Sequence, residues 1–302
     1  MYQVVLYGLA PSRRTKHSLE LVKLATYRTS TNPLSMAVTP ATSESPATVA
    51  VADLMKSLSV LEVLPPSSAD PDYQLVEVSR HFATLWSSAT AATSENEWVV
   101  ADMEGNLVML RRNAGGVTVD DRRRLEVIGE FRLGEVVNKI VPIFSPGAPA
   151  LSIGKGKDLA RPLSAGPNQS LSNQADVGVS KRTGPLITPK AFIATVEGAI
   201  YMLGTINPAY VNALLLLQSA LASKVQAPGY MPWAKFRAWK TEVVERDEPF
   251  RFVDGEMVEQ GLLALGDPEL EAVLREGSLM EDGLKVTVEE VRAWGEELRR
   301  LY

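Results

Sequence analysis

The sequence predicts an all-β portion, an incomplete WD40-like β-propeller of about three to four blades, followed by a small α-helical C-terminal domain. Three observations carry this. A strand-turn-strand unit recurs: Val51-Ala-Asp-Leu-Met-Lys-Ser-Leu-Ser-Val-Leu61, then Val100-Ala-Asp-Met-Glu-Gly-Asn-Leu-Val-Met-Leu110, and, degraded, Ile193-Ala-Thr-Val-Glu-Gly-Ala-Ile-Tyr-Met-Leu203. Asp53 and Asp102 lie 49 residues apart (102 − 53), a period that suits propeller blades built from hairpins. After Thr205 the apolar pattern changes from strand-like to helix-like.

Along the sequence, residues 3–7 alternate as a strand, 8–14 read as the turn after it, and 19–28 as a second strand. Residues 34–38 form another. Residues 47–63 form a hairpin turning near Met55 and Lys56, and strands follow at 73–80 and 83–89. Residues 97–112 give the clearest hairpin, because Gly105 supplies the backbone freedom a tight turn needs. Residues 120–132 read as a polar link and a strand, and 134–144 as the strand after it.

Residues 145–185 are rich in Ser, Gly, Pro, Asn and Gln and nearly free of aromatic side chains. Such a stretch buries too little apolar surface to offset its ordering entropy, so it reads as a disordered loop inserted within a blade. Lys155-Gly-Lys157 inside it lacks the spacing of a phosphate-binding loop.

The helical reading begins at 209–225, apolar all round, with Pro208 at the first helical position. A short helix is expected at 232–240. Another spans 253–265 with Asp254 at its cap, and a third runs from Asp267 through Arg275. Thr287-Val-Glu-Glu290 is a capping box that opens a last helix running to the end of the sequence. The expected domains are therefore a partial propeller over 1–205 and a helical domain over 206–302. So few strands cannot close a standard ring, and the protein is expected to be part of a longer product.

Composition narrows the function. The 302 residues carry a formal net charge of −5, which disfavours strong sequence-independent DNA binding. The arginines at 111, 112, 122, 123 and 124 read as a solvated face, with a local basic patch as the alternative. With no cysteine and two distant histidines, His17 and His81, neither a metal site nor a thiol nucleophile is expected, and no cofactor. No hydrolase or metalloprotease motif appears, so an enzyme is not expected. The start lacks a signal peptide's basic region, and the longest apolar run is too short to span a bilayer.

Several stretches carry a family resemblance. Phe252-Val-Asp-Gly-Glu-Met-Val-Glu259 is similar to an aromatic-aliphatic-Asp-Gly-acidic signature. Leu133-Gly-Glu-Val-Val-Asn138 after Asp120-Asp-Arg-Arg-Arg-Leu125, and Trp233-Ala-Lys-Phe236 before Lys240-Thr-Glu242, are further matches. The protein resembles the C-terminal part of the three-propeller proteins that share the cleavage and polyadenylation specificity factor A-subunit region. The branch it most resembles is the UV-damaged DNA-binding one, whose large subunit is a cullin-RING ubiquitin ligase adaptor.

The resemblance implies a nuclear and cytoplasmic scaffold in DNA repair. It docks substrate-receptor proteins in a cleft, beside N-terminal propellers of a longer parent protein. It implies partner-binding roles for Arg80, Trp86, Glu135, Val136, Asn138 and Val196. His81 stands where the family usually has Asp. Sibling branches imply an alternative, an mRNA polyadenylation or splicing subunit with nucleic-acid contact; a truncated gene product is another.

Plainer readings stand beside these. Trp86 is either a partner anchor or a core residue. Arg80 either meets a partner carboxylate or has an intrachain partner. Asp53 and Asp102, placed before hairpin turns, are expected to accept backbone N–H bonds. Asp254 is expected to cap a helix, and Trp233, Phe236 and Trp239 to pack the helices onto the sheets.

Overall fold

A computed structural model describes residues 2–12, 18–43, 45–68, 70–143, 184–225, 228–280 and 285–300. His17, Lys155-Gly-Lys157 and nearly all of the expected 145–185 loop lie outside the described residues.

Four antiparallel sheets follow one another in sequence order. Strands β1 (Gln3–Pro11) and β2 (Leu19–Arg28) make a two-stranded sheet. A four-stranded meander follows: β3 (Pro33–Thr39), β4 (Thr48–Asp53), β5 (Ser57–Leu64) and β6 (Gln74–Arg80). The next meander is β7 (Ser87–Ser94), β8 (Glu97–Asp102), β9 (Asn106–Arg112) and β10 (Leu125–Arg132). A three-stranded sheet ends the series, with β11 (Val137–Pro142), β12 (Ile187–Thr195) and β13 (Ile200–Ile206).

The strands β3, β7 and β11, each first in its sheet, pack side by side. Two of the apolar layers between sheets explain the local sequence of β8. Trp98 and Val100 of β8 face Ala50, Ala52, Leu58 and Val60 of the preceding sheet. Val99 and Ala101 face the other way, onto Val137, Ile140 and Ile193 of the following sheet. A strand buried on both faces reads as an unbroken apolar run, and Trp98-Val-Val-Ala101 is one.

Six α-helices and one turn of 3-10 helix (Pro228–Tyr230) complete the described fold: α1 (Val119–Arg123), α2 (Val211–Ala222), α3 (Trp233–Arg237), α4 (Gly255–Ala264), α5 (Asp267–Glu276) and α6 (Val288–Arg299). Leu214, Leu217 and Leu221 of α2 pack with Met257, Val258, Leu270, Leu274, Val291 and Trp294 of the later helices. Leu186 joins that core from just before β12, and Trp239 instead enters the core between the second and third sheets.

The structure corrects several local expectations. Residues 83–86 form no strand; they link two sheets, and β7 starts at Ser87. The polar link near residue 120 holds α1, where Thr118 and Asp121 form a reciprocal capping box that the charge run obscured. Helix α2 starts after Tyr210, so Pro208 precedes it rather than opening it. The Asp254 cap and the Thr287 capping box are both present.

Candidate partner-docking face

In a meander, alternate connections return to the same end of the sheet. Hydrogen bonds identify the links that share that end here. The Leu54 amide donates to Asn32 O, and the Met103 amide to Trp86 O at 2.8 Å. The Leu133 and Gly134 amides both donate to Gly105 O, and the Val196 amide donates to Val136 O at 2.9 Å. The last three contacts form a continuous ridge: Trp86 beside Met103, Gly105 beside Gly134, Val136 beside Val196.

The repeated turns build this ridge. Asp102 Oδ1 accepts from the Glu104 and Asn106 amides, and Oδ2 from Asn106 Nδ2, all within 2.9 Å. Asp53 accepts from the Met55 and Thr31 amides and from the Thr31 hydroxyl. In the third copy Thr195 stands in the Asp position, and its hydroxyl accepts from the Ala199 amide. These acids are turn-formers, as their position in the repeat suggests. Gly105 is required twice over: its φ is +81°, and an added Cβ would lie 3.0 Å from the Glu135 nitrogen.

The ridge exposes apolar surface. Trp86 is 51% exposed, Met103 42% and Val196 67%. Val136 is half-buried, and Asn138 is exposed at a register shift between Val137 and Lys139. Glu135 Oε1 accepts from the Tyr201 hydroxyl at 2.8 Å. Burial, reinforced by that bond, pushes the Tyr201 phenol up to about 12, so it stays a donor at neutral pH.

Arg80 is placed differently. It ends β6 and forms an isolated bridge to Arg124, the residue just before β10. Its guanidinium donates to Glu77 Oε2 at 2.6 Å and to the Tyr27 hydroxyl at 3.4 Å, while Nε is buried without an acceptor. The intrachain partner of the plainer reading is present. Beside it, His81 Nδ1 meets Ser57 Oγ at 2.7 Å, and burial lowers the imidazole to about 4.

The structure therefore aligns Trp86, Glu135, Val136 and Val196 along one ridge, with Asn138 just beyond it and Arg80 tied back into its own sheet. Sequence reasoning missed Met103, although its place directly after the repeated Asp102 marks it as a turn-tip residue. It also missed Phe82, exposed on the link before Trp86, with the Arg124 guanidinium 5.7 Å from its ring centre.

Among the described residues no group of three His, Cys, Asp or Glu side chains could hold a metal ion. No described helix is long and apolar enough to cross a membrane.

Sheets in series, turns that recur at their ends and an exposed apolar ridge define a repeat-built β scaffold with appended helices. The protein belongs to the CPSF A subunit region family, whose model matches residues 4–262. It is similar to DNA damage-binding protein 1 of Schizosaccharomyces pombe, 24% identical over 256 residues, covering 84% of the present sequence and 20% of that protein. The Oryza sativa subsp. japonica protein of that name and DNA damage-binding protein 1a of Arabidopsis thaliana are each 26% identical over 254 residues. In both cases 84% of the present sequence and 19% of the relative are covered. The sequence spans about one fifth of the length of these relatives.

Proposed function

We propose that this protein is a protein–protein interaction scaffold rather than an enzyme, the C-terminal part of a cullin-RING ligase adaptor that docks substrate receptors in DNA repair. The observation that carries the reading is the half-exposed Trp86 on a hydrogen-bonded ridge that continues to Val196. A large aromatic held outside a core is an effective anchor for a partner. The relatives' name, DNA damage-binding protein 1, supports the repair setting.

In this reading the four sheets are blades of an incomplete propeller over 1–205, and 206–302 form a helical domain packed upon it. The partners are receptor proteins and the N-terminal propellers of a longer parent protein. A receptor helix lays apolar side chains on Trp86, Val136 and Val196, and Asn138 and Glu135 fix its orientation by hydrogen bonds. Arg80 takes part only by exchanging Glu77 for a receptor carboxylate. The setting is nuclear and cytoplasmic, with nucleic acid contacted mainly through partners.

The test is co-purification from native tissue, followed by the affinity of the captured receptor for wild-type and Trp86→Ala protein. Capture of receptors with a cullin, and a hot-spot loss of roughly 2 kcal/mol on truncation, supports the proposal. Capture of polyadenylation or splicing subunits moves the protein to a sibling role.

A further inference from the structure

We propose that the turn over residues 240–245 is a second wall of the docking face, contributed by the segment after α3, and that it selects a receptor segment carrying a lysine or arginine beside its apolar side chains. The inference rests on the ridge being a receptor-docking face.

The turn is built by its own hydrogen bonds. Lys240 and Glu245 form an isolated antiparallel bridge. Between them the Thr241 amide donates to Val244 O at 2.8 Å, and the Val244 amide donates to Thr241 Oγ1 at 3.0 Å. The turn is seated on the β8–β9 connection. Asn106 holds Lys240 through two bonds, and the Glu242 amide donates to Glu104 Oε1 at 3.3 Å. Glu104 follows Met103, whose amide is bonded to Trp86 O. The 240–245 turn is therefore joined to the ridge one residue from Met103.

Its tip is apolar and uncovered: Val243 is 91% exposed and Val244 44%. A valine held out by a hydrogen-bonded turn loses less freedom on binding than one on a loose loop, and its burial against a partner is favourable.

The charges beside the tip select the partner's chemistry. Lys240 and Lys235 both face Glu245, at 3.4 and 3.6 Å. Glu104 and Glu242 are exposed, and neither has a cationic partner among the described residues. Two neighbouring carboxylates favour a cation on the partner and repel phosphate. The wall thus fits a protein segment with apolar anchors and a basic residue at this flank, and it disfavours nucleic acid.

The probe is the receptor identified in the co-purification experiment, made as a pure protein. Its dissociation constant is measured by isothermal titration calorimetry against the 302-residue protein and its variants. Val243→Ser is expected to weaken binding roughly fivefold or more, because the burial of a valine is lost. Glu242→Lys also weakens it at low salt, and the loss shrinks at high salt, where exposed charges are screened. Val117→Ser alters an equally bare valine, 93% exposed, on the β9–β10 link at the other end of that sheet, and leaves binding unchanged. Wild-type affinity in Val243→Ser overturns the second wall, and wild-type affinity in Glu242→Lys overturns the choice of a basic segment. If Trp86→Ala still weakens binding in that case, the receptor-docking reading survives alone. If Trp86→Ala binds as wild type while both turn variants lose affinity, the wall stands and Trp86 is not the anchor. Capture of no receptor overturns both.

Discussion

Asn106 and Lys240, 134 residues apart, are joined by two hydrogen bonds: Asn106 Nδ2 donates to Lys240 O at 2.7 Å, and the Lys240 amide donates to Asn106 Oδ1 at 3.2 Å. One side-chain amide thus serves as the hydrogen-bonding partner of the Lys240 backbone. It fixes the segment after α3 to the turn that also carries Asp102 and Gly105.

Asn106→Ala removes both bonds and a third to the buried Asp102, from a side chain that is itself fully buried. The expected cost is about 2–4 kcal/mol, from lost bonds and unmatched buried groups. Urea denaturation checks it; a midpoint unchanged from wild type contradicts the staple.

The Arg237–Asp254 pair ties α3 to the start of α4, with side chains 12% and 6% exposed. Asp254 also caps α4 and accepts from Trp233 Nε1. Arg237→Met is expected to destabilise by about 3–5 kcal/mol, because it strands a buried carboxylate. In a double-mutant cycle with Asp254→Asn, the second change should cost much less once the first is made.

His81 gives a pH dependence of definite sign. Its folded value of about 4 lies below the ordinary 6.5 because burial favours the neutral ring. Its contribution to stability is complete above pH 6.5 and is lost as the pH falls from 6.5 to 4, where the unfolded protein binds the extra proton. Burial raises the Asp102 carboxyl, which acts in the opposite sense near the acid end. The readout is therefore the difference between wild type and His81→Asn in denaturation midpoints from pH 7 to 4. The wild type should lose more stability over that range, and parallel curves contradict the assignment.

Two tryptophans should behave oppositely. Trp98 is 1% exposed in the inter-sheet core, and Trp98→Ala should cost about 3–5 kcal/mol. Trp86 is 51% exposed, so Trp86→Ala should change stability by less than about 1 kcal/mol. Thermal unfolding of both variants checks the contrast.

Much of the fold is legible in the sequence. The apolar run Trp98-Val-Val-Ala101 announces a strand buried on both faces, and the repeated Asp announces its turn, because both signals are local. The link from 83 to 86 reads as strand, since Leu85 and Trp86 mimic strand composition although one is buried and the other exposed. Helix α1 is hidden because charged residues that suit a solvated link also suit a capped, fully exposed turn of helix.

The sequence by itself determined the repeated turn chemistry, the change from sheet to helix and the helix caps. Each depends on residues within a few positions of one another. Only the tertiary structure decided that Trp86, Val136 and Val196 lie on one ridge and that Arg80 is held by Glu77. Those relations join sheets distant in sequence. They follow from how side groups pack across layers, which local propensity and spacing do not encode.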